Sequence, residues 1–149
     1  MNMLAKAFHE LPITEKQSIH LCLGEYALSK WCEYGAPRQQ INYVETVCGT
    51  DQTVDIELLT DAFCAACEGS DTRNVAYRFR EPISALQDGD LTFPESITYA
   101  YYALYNLFQK YAEQKPVNDW LVVTQALSIE ADESQRRSLL ETAIQKATG

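Results

Sequence analysis

Apolar residues recur every three or four positions along most of the chain, which is the spacing of amphipathic helices. The first long helix is predicted from Thr14, which can form a capping box with Gln17, to about Tyr34, with Gly35 as its C-terminal stop. Its apolar stripe consists of Ile19, Cys22, Leu23, Tyr26, Ala27 and Trp31. Strand-like alternation is scarce, so the pattern favours an all-α fold.

Two weaker segments lie in the middle of the chain. A short helix is predicted from about Arg38 to Cys48, because apolar residues there keep a helical spacing before a glycine. Its expected buried stripe is Ile41, Val44 and Cys48. Between Asp71 and Leu91, Pro82 interrupts the apolar pattern, so a broken helix is expected there.

Between these two segments, a helix is predicted to begin near Val54 or Asp55 and to end before Gly69. A carboxylate at the start suits the positive end of the helix dipole. The expected buried residues are Ile56, Leu59, Phe63, Ala66 and Cys67. The other side of this helix is then acidic.

The clearest helix is predicted from Pro94 to about Gln114, with Pro94 at its first position. Its inward stripe is Ile97, Ala100, Tyr101, Leu104, Leu107, Phe108 and Tyr111. Five of the nine tyrosines of the chain fall on this helix, more than a single stripe can bury. Tyr102 and Tyr105 lie off the stripe and can either anchor a partner or pack with their hydroxyls at the surface.

Two further helices complete the predicted layout. Asn118 or Asp119 can cap a helix that ends near Leu127, and the last helix is predicted from Asp132 or Glu133. The last helix is expected to bury Leu139, Leu140, Ala143 and Ile144. The sum is a single all-α domain over residues 1–149, a helical bundle of five to seven helices.

Negative charge is concentrated in one part of the sequence. Between Arg38 and Arg73 there is no Lys, Arg or His. The same stretch holds seven carboxylates: Glu45, Asp51, Asp55, Glu57, Asp61, Glu68 and Asp71. They supply most of the formal net charge of -9, and so dense an acidic segment favours a basic partner.

Charge and hydropathy exclude several classes of function. Binding to the phosphates of nucleic acid needs clustered Lys and Arg, which this chain does not offer. The same charge repels an anionic membrane surface, and no apolar run approaches the roughly 18 residues of a membrane span. Because residues 1–10 also lack a basic start followed by a long apolar run, we expect a soluble, cytoplasmic protein that binds neither nucleic acid nor membrane.

The five cysteines are Cys22, Cys32, Cys48, Cys64 and Cys67. Their odd number, without an export signal, favours reduced thiols that serve as small buried residues. Cys64 and Cys67 have a spacing that can chelate zinc or form a redox pair, but they fall near the end of a predicted helix, where the dipole raises a thiol pKa. Neither histidine is close enough in sequence to complete a four-ligand set, so we expect no metal and no other cofactor.

No catalytic signature is present. The chain has no Gly-x-Ser-x-Gly, no Gly-rich phosphate loop and no Gly-x-Gly-x-x-Gly. His9 and His20 show no His-Glu-x-x-His motif and are expected to be ordinary surface or core histidines. We therefore expect no catalytic residues and no enzyme activity.

Three features of the layout point to a known group of proteins. They are Leu11-Pro12 before a long helix, the aromatic helix around Tyr99 to Tyr111, and the segment from Asn118 to Leu127. In these features the chain resembles the small all-helical immunity proteins of bacterial polymorphic toxin and contact-dependent inhibition systems.

The resemblance implies a protein that binds and neutralises one cognate toxin domain. Many such toxins are nucleases with basic clefts, which an acidic surface can occupy. Under this hypothesis the charged contacts are Asp51, Asp55, Glu57, Asp61, Glu68 and Asp71. The aromatic anchors are Tyr102 and Tyr105.

Two other functions stay open at this point. A helical adaptor or regulatory subunit that binds a basic segment of a cellular partner would have the same acidic surface. A small-molecule-binding bundle would use the tyrosine helix as a pocket wall and would respond little to salt.

Overall fold

The computed structural model describes residues 1–35, 40–44, 51–55, 57–68, 73, 75, 76 and 92–149. Within these ranges it contains helices α1 (Asn2–His9), α2 (Ile13–Gly35), α3 (Leu58–Glu68), α4 (Glu95–Tyr111), α5 (Asp119–Leu127) and α6 (Glu133–Thr148). It also contains strands β1 (Gln40–Val44) and β2 (Asp51–Asp55). The predicted all-α bundle of five to seven helices is confirmed, and the two strands are a small addition to it.

The two strands correct the predicted short helix between Arg38 and Cys48. β1 pairs antiparallel with β2, with Ile41 opposite Val54. β1 is rich in β-branched and aromatic residues, namely Ile41, Tyr43 and Val44, and β2 carries Thr53 and Val54. Such residues fit a paired strand better than a helix of only three stripe residues. For the same reason Val54 and Asp55 end a strand rather than begin the next helix. Residues 45–50 and most of the predicted broken helix from 71 to 91 lie outside the described residues.

Helix α1 is a feature that the sequence prediction lacks. Phe8 is completely buried, and Met1 and Leu4 pack partly buried against the same core. Their spacing of three and four residues places them on one side of the helix. Helix α1 therefore belongs to the packed structure, where it contacts α6.

Helix α2 begins at Ile13, one residue before the predicted cap at Thr14. The carbonyl of Pro12 accepts hydrogen bonds from the backbone N–H groups of Glu15 and Lys16, at 3.1 and 3.0 Å. Thr14 therefore lies inside the first turn. The fully buried members of its predicted stripe are Ile19, Leu23, Ala27 and Trp31.

Helix α4 is the centre of the bundle and contacts α2, α3 and α5. Six of its seven predicted stripe residues are buried: Ile97, Ala100, Tyr101, Leu104, Leu107 and Phe108. Tyr111, the seventh, is half-buried. Pro94 precedes the helix as its N-cap instead of occupying the first position, and its carbonyl accepts the N–H groups of Ile97 and Thr98, each at 3.0 Å.

The last two helices begin at the predicted caps. The Asn118 side chain accepts the backbone N–H groups of Trp120 and Leu121, and the Asp132 carboxylate accepts that of Ser134 at 2.8 Å. These bonds satisfy amide groups that have no partner inside the helix. The hydrogen bonds from Ser134 also hold the pKa of Asp132 below its usual value.

Helices α2, α3 and α4 meet closely at Gly24, which lies on α2. A Cβ atom at this position would lie 2.7 Å from Leu107 Cδ2 of α4 and 3.1 Å from Phe63 Cε2 of α3. Leu107 is completely buried, so it has little room to move in a close-packed interior. The absence of a side chain at Gly24 thus permits the close approach of three helices.

We expect Gly24→Val to lower the free energy of unfolding by about 1–3 kcal/mol, because the new side chain overpacks the junction. Chemical denaturation followed by circular dichroism measures the change. The matched control is Ser29→Val, which adds the same β-branched side chain at an exposed position of α2 and should change stability by no more than about 0.5 kcal/mol. Equal effects of the two substitutions would show that Gly24 is not a tight contact.

Candidate functional site

One side of α3 carries a row of exposed carboxylates. Glu57, Asp61 and Glu68 are exposed, as is Cys64 between them. Spacings of four, three and four residues place these side chains along one side of a helix. Glu57 starts the row just before the helix, where its carbonyl accepts the N–H of Asp61 at 2.9 Å. We call these four residues the α3 stripe.

The opposite side of α3 explains why the α3 stripe faces outward. Its buried residues are Leu58, Leu59, Ala62, Ala65 and Ala66, and α3 contacts α4 and α2. Three alanines give this side a flat surface that allows close helix packing. The acidic side of α3 must therefore face away from α4.

Helix α2 adds another carboxylate near the end of the α3 stripe. The pKa of the Cys67 thiol is raised, first by partial desolvation and then by Cys64, Glu25 and Glu68. Cys67 is nevertheless exposed by surface area, so the desolvation is local. Glu25 of α2 and Glu68 of α3 thus act on the same thiol, and the negative potential extends across both helices.

The other predicted charged contacts are placed less fully. Asp51 and Asp55 belong to β2, but their side chains lie outside the described structure. Asp71 also lies outside the described residues. The structure therefore brings three of the six predicted acidic residues together, namely Glu57, Asp61 and Glu68.

The two predicted aromatic anchors lie on the central helix. Tyr102 and Tyr105 are half-buried and pack against the hydrophobic core. Tyr102 also makes an edge contact with the fully buried Tyr101, with ring centroids 6.3 Å apart. This placement agrees with tyrosines that pack with part of their surface accessible, and their role as anchors stays a prediction.

The predicted burial of the cysteines is wrong at three positions. Cys32, Cys64 and Cys67 are exposed and Cys22 is half-buried, all as free thiols; Cys48 lies outside the described residues. On α3 the pattern was right for Leu59 and Ala66 but wrong for Cys67, because Cys and Ala are both small and Ala62 and Ala65 packed inward instead. The buried side is consequently rotated away from the predicted one, and the thiols join the acidic side. The predicted Ile56 lies outside the described residues.

A buried polar cluster lies one helical turn from Gly24, where α2 packs against α4 and α5. His20 is completely buried. Its Nδ1 atom lies 2.6 Å from the hydroxyl of Tyr111, and its Nε2 atom lies 2.8 Å from the backbone carbonyl of Asp119. Because a carbonyl can only accept, Nε2 carries the proton and Nδ1 accepts from the tyrosine hydroxyl.

The pKa values of the cluster agree with this assignment. Burial lowers the pKa of His20, against the opposing effects of the Asp119 carbonyl and carboxylate, while Lys110 and Lys16 lower it further. Burial, with a contribution from Asp119, raises the pKa of Tyr111 to about 12. The imidazole is therefore neutral and the phenol protonated at neutral pH.

An ion pair completes the cluster. Lys110 Nζ lies 2.7 Å from Asp119 Oδ1 and donates to the carbonyl of Val117 at 3.1 Å. Burial, the largest single effect, raises the pKa of Asp119, but the hydrogen bond and charge of Lys110, with smaller contributions from His20 and Lys16, together outweigh it and the pKa is lowered. The cluster therefore ties α2 to the end of α4 and the start of α5.

None of the surface of His20 reaches solvent. The cluster combines residue types that occur in active sites, yet what it does here is join three helices through satisfied hydrogen bonds. The sequence analysis left His20 as a surface or core histidine. Its partners lie 91 and 99 residues away, so local sequence gave no signal of the cluster.

Cavities of about 490 and 350 Å³ lie beside α1. The first is lined by Met1, Asn2, Met3, Leu4, Arg137 and Glu141. The second is lined by residues of α1, α5 and α6 and of the turn between α5 and α6. Neither includes a residue of α4, so these cavities give no support to a ligand pocket walled by the tyrosine helix. Across the described ranges, no group of three or more His, Cys, Asp or Glu side chains is arranged to hold a metal ion.

No protein-family model, curated protein or solved structure matches this chain. The class of protein is therefore defined by the fold and the surface alone: an all-α bundle with an outward acidic stripe on α3. In the part of the chain that the structure describes, no helix combines the length and apolar character needed to cross a bilayer.

The buried histidine predicts a pH dependence of stability. The pKa of His20 is lowered in the folded chain, so on acidification the unfolded chain takes up this proton first. The stabilisation is complete above the unfolded pKa near 6.5 and is lost progressively as pH falls from there through the lower folded pKa, at up to about 1.4 kcal/mol for each unit of pKa difference. Urea denaturation between about pH 7.5 and 5.5, above the ordinary range of carboxyl groups, measures the loss.

Two variants test whether His20 causes this loss of stability at lower pH. His20→Gln should be less stable than the parent at pH 7.5, but its stability should change little between pH 7.5 and 5.5. His9→Gln, at an exposed position, should keep the pH dependence of the parent. A parent protein with constant stability over this interval would contradict the burial of a neutral His20.

Proposed function

We propose that this protein binds a basic protein surface through the α3 stripe, and that it serves as an immunity protein that neutralises a cognate toxin domain. The observation that carries the proposal is the alignment of Glu57, Asp61 and Glu68 on one exposed side of α3. Its opposite side is fixed against the bundle.

The arrangement suits association guided by charge. The three carboxylates stand on the ordered backbone of a packed helix, so little backbone freedom is lost when a partner docks. Glu25 of α2 extends the negative potential beside Glu68. Such a surface attracts a basic partner over a distance of about a Debye length and orients it before contact.

The immunity role draws its support from the resemblance of the helical layout and from charge complementarity. A nuclease toxin needs a basic cleft to hold nucleic acid. An acidic helix that enters such a cleft competes directly with the phosphate backbone. Binding and inhibition then follow from the same contact.

A charge-neutralising variant tests the surface. We expect the triple variant Glu57→Gln, Asp61→Asn and Glu68→Gln to remain folded, because all three side chains are exposed. Association with the partner should slow by roughly 3- to 10-fold at low salt, with little change in the dissociation rate. The candidate partner for this test is the product of the neighbouring open reading frame, isolated by co-purification, and stopped-flow kinetics measure both rates.

The control variant removes the same charge elsewhere. It carries the substitutions Glu10→Gln, Glu133→Gln and Glu141→Gln. These three glutamates are also exposed and lie at the end of α1 and on α6. This triple should associate at nearly the parental rate. If both triples slow association equally, only net charge matters and the α3 stripe is not the binding surface.

Inhibition is tested separately from binding. Cells that express the partner alone should stop growing, and co-expression of the parent protein should restore growth. A partner that binds the α3 stripe but does not harm cells would indicate the adaptor function instead. No binding of this candidate partner at low salt would contradict the immunity function and leave the adaptor function.

A further inference from the structure

The Cys64 and Cys67 thiols are both exposed near the end of α3. Residues three apart on a helix are neighbours, with Cβ atoms about 5–6 Å apart. A disulfide requires about 3.5–4.5 Å between these atoms. A short movement of the chain is therefore enough to join the two sulfur atoms.

The position of the pair in α3 makes this movement feasible. Cys67 is the penultimate residue of α3, which ends at Glu68. Only the end of the helix beyond the buried Ala66 has to move, and helix ends open more readily than helix interiors. Cys64 lies one turn further in, where the neighbouring Ala65 and Ala66 are buried and hold the backbone in place.

We propose that Cys64 and Cys67 form a dithiol modification site that reacts with low-molecular-weight disulfides. The Cys64 thiolate attacks the reagent disulfide, which gives a mixed disulfide at Cys64 and releases one reagent thiol. The Cys67 thiolate then attacks the Cys64 sulfur and releases the second reagent thiol. The chain loses two protons and two electrons, and the reagent disulfide gains them.

The order of attack follows from the surroundings of the two thiols. Partial desolvation, Cys64, Glu25 and Glu68 together raise the pKa of Cys67, so less of it is thiolate at neutral pH. Cys67 is then the resolving thiol and Cys64 the first to react. Because carboxylates surround the pair, a cationic disulfide should react faster than an anionic one. The reaction needs no protein partner and is independent of the function proposed above.

The test treats the free, reduced protein with cystamine, a cationic disulfide, and maps the products by peptide mass spectrometry. The parent should end with a Cys64–Cys67 disulfide that carries no adduct. Cys67→Ser should retain a stable cysteamine adduct on Cys64. Cys64→Ser should be modified at Cys67 more slowly than the parent at Cys64, by on the order of threefold for each unit of raised pKa.

Cys32 is an internal control in every sample. It is exposed on α2, and no cysteine lies three or four residues away, so it should retain a mixed disulfide. Oxidised glutathione, an anionic disulfide, should modify Cys64 more slowly than cystamine does, relative to Cys32. Stable adducts on both Cys64 and Cys67 of the parent, or a Cys32–Cys64 disulfide, would overturn the proposal.

Discussion

The close contact of α2, α3 and α4 at Gly24 is the constraint on which the surface of this protein depends. Without a side chain at this position, Leu107 of α4 and Phe63 of α3 approach the backbone of α2. Helix α3 is thereby packed on two neighbours through its alanine side. The carboxylates of the α3 stripe therefore lie on the side that is exposed to solvent. The acidic surface is thus a consequence of core packing.

The His20 cluster constrains the same bundle one helical turn from Gly24 along α2. It replaces apolar packing with two hydrogen bonds and a nearby ion pair, so the relative position of α2, α4 and α5 is set by directional contacts. An imidazole that is buried without both partners would be costly. Here both ring nitrogens are paired, and the neutral form avoids burying a charge. The burial of a neutral imidazole lowers the free energy of unfolding at acidic pH, because the unfolded chain binds the proton more readily than the folded chain.

Much of the helical layout could be predicted because its signals are local. The stripe of α4 and the caps at Asn118 and Asp132 depend on residues within one or two turns. The strand at Ile41 was missed because a short apolar segment fits either period. The outward thiols of Cys64 and Cys67 were missed because cysteine and alanine are alike in size. The His20 cluster was beyond reach, since its partners are far away along the chain.

The acidic surface, too, could be predicted only as far as its signals are local. The sequence showed where carboxylates are dense, but a dense segment does not state which of its side chains share a surface. The structure aligns Glu57, Asp61 and Glu68, and adds Glu25 from another helix. That combination requires the antiparallel arrangement of α2 and α3. In this arrangement the Sγ atom of Cys32 lies 3.9 Å from Oγ1 of Thr60, and Gly24, further back on α2, lies opposite Phe63, further along α3.

Because Cys64 lies within the α3 stripe, its thiol reports directly on whether a partner covers this surface. The decisive measurement is the rate at which N-ethylmaleimide, a neutral reagent, alkylates Cys64 in the reduced protein, alone and bound to the co-purified partner. The reference is a cysteine introduced at exposed Ser138 of α6. Our account predicts that the partner slows alkylation of Cys64 and leaves the cysteine of Ser138→Cys unaffected. Protection at position 138 with Cys64 still freely alkylated would contradict it.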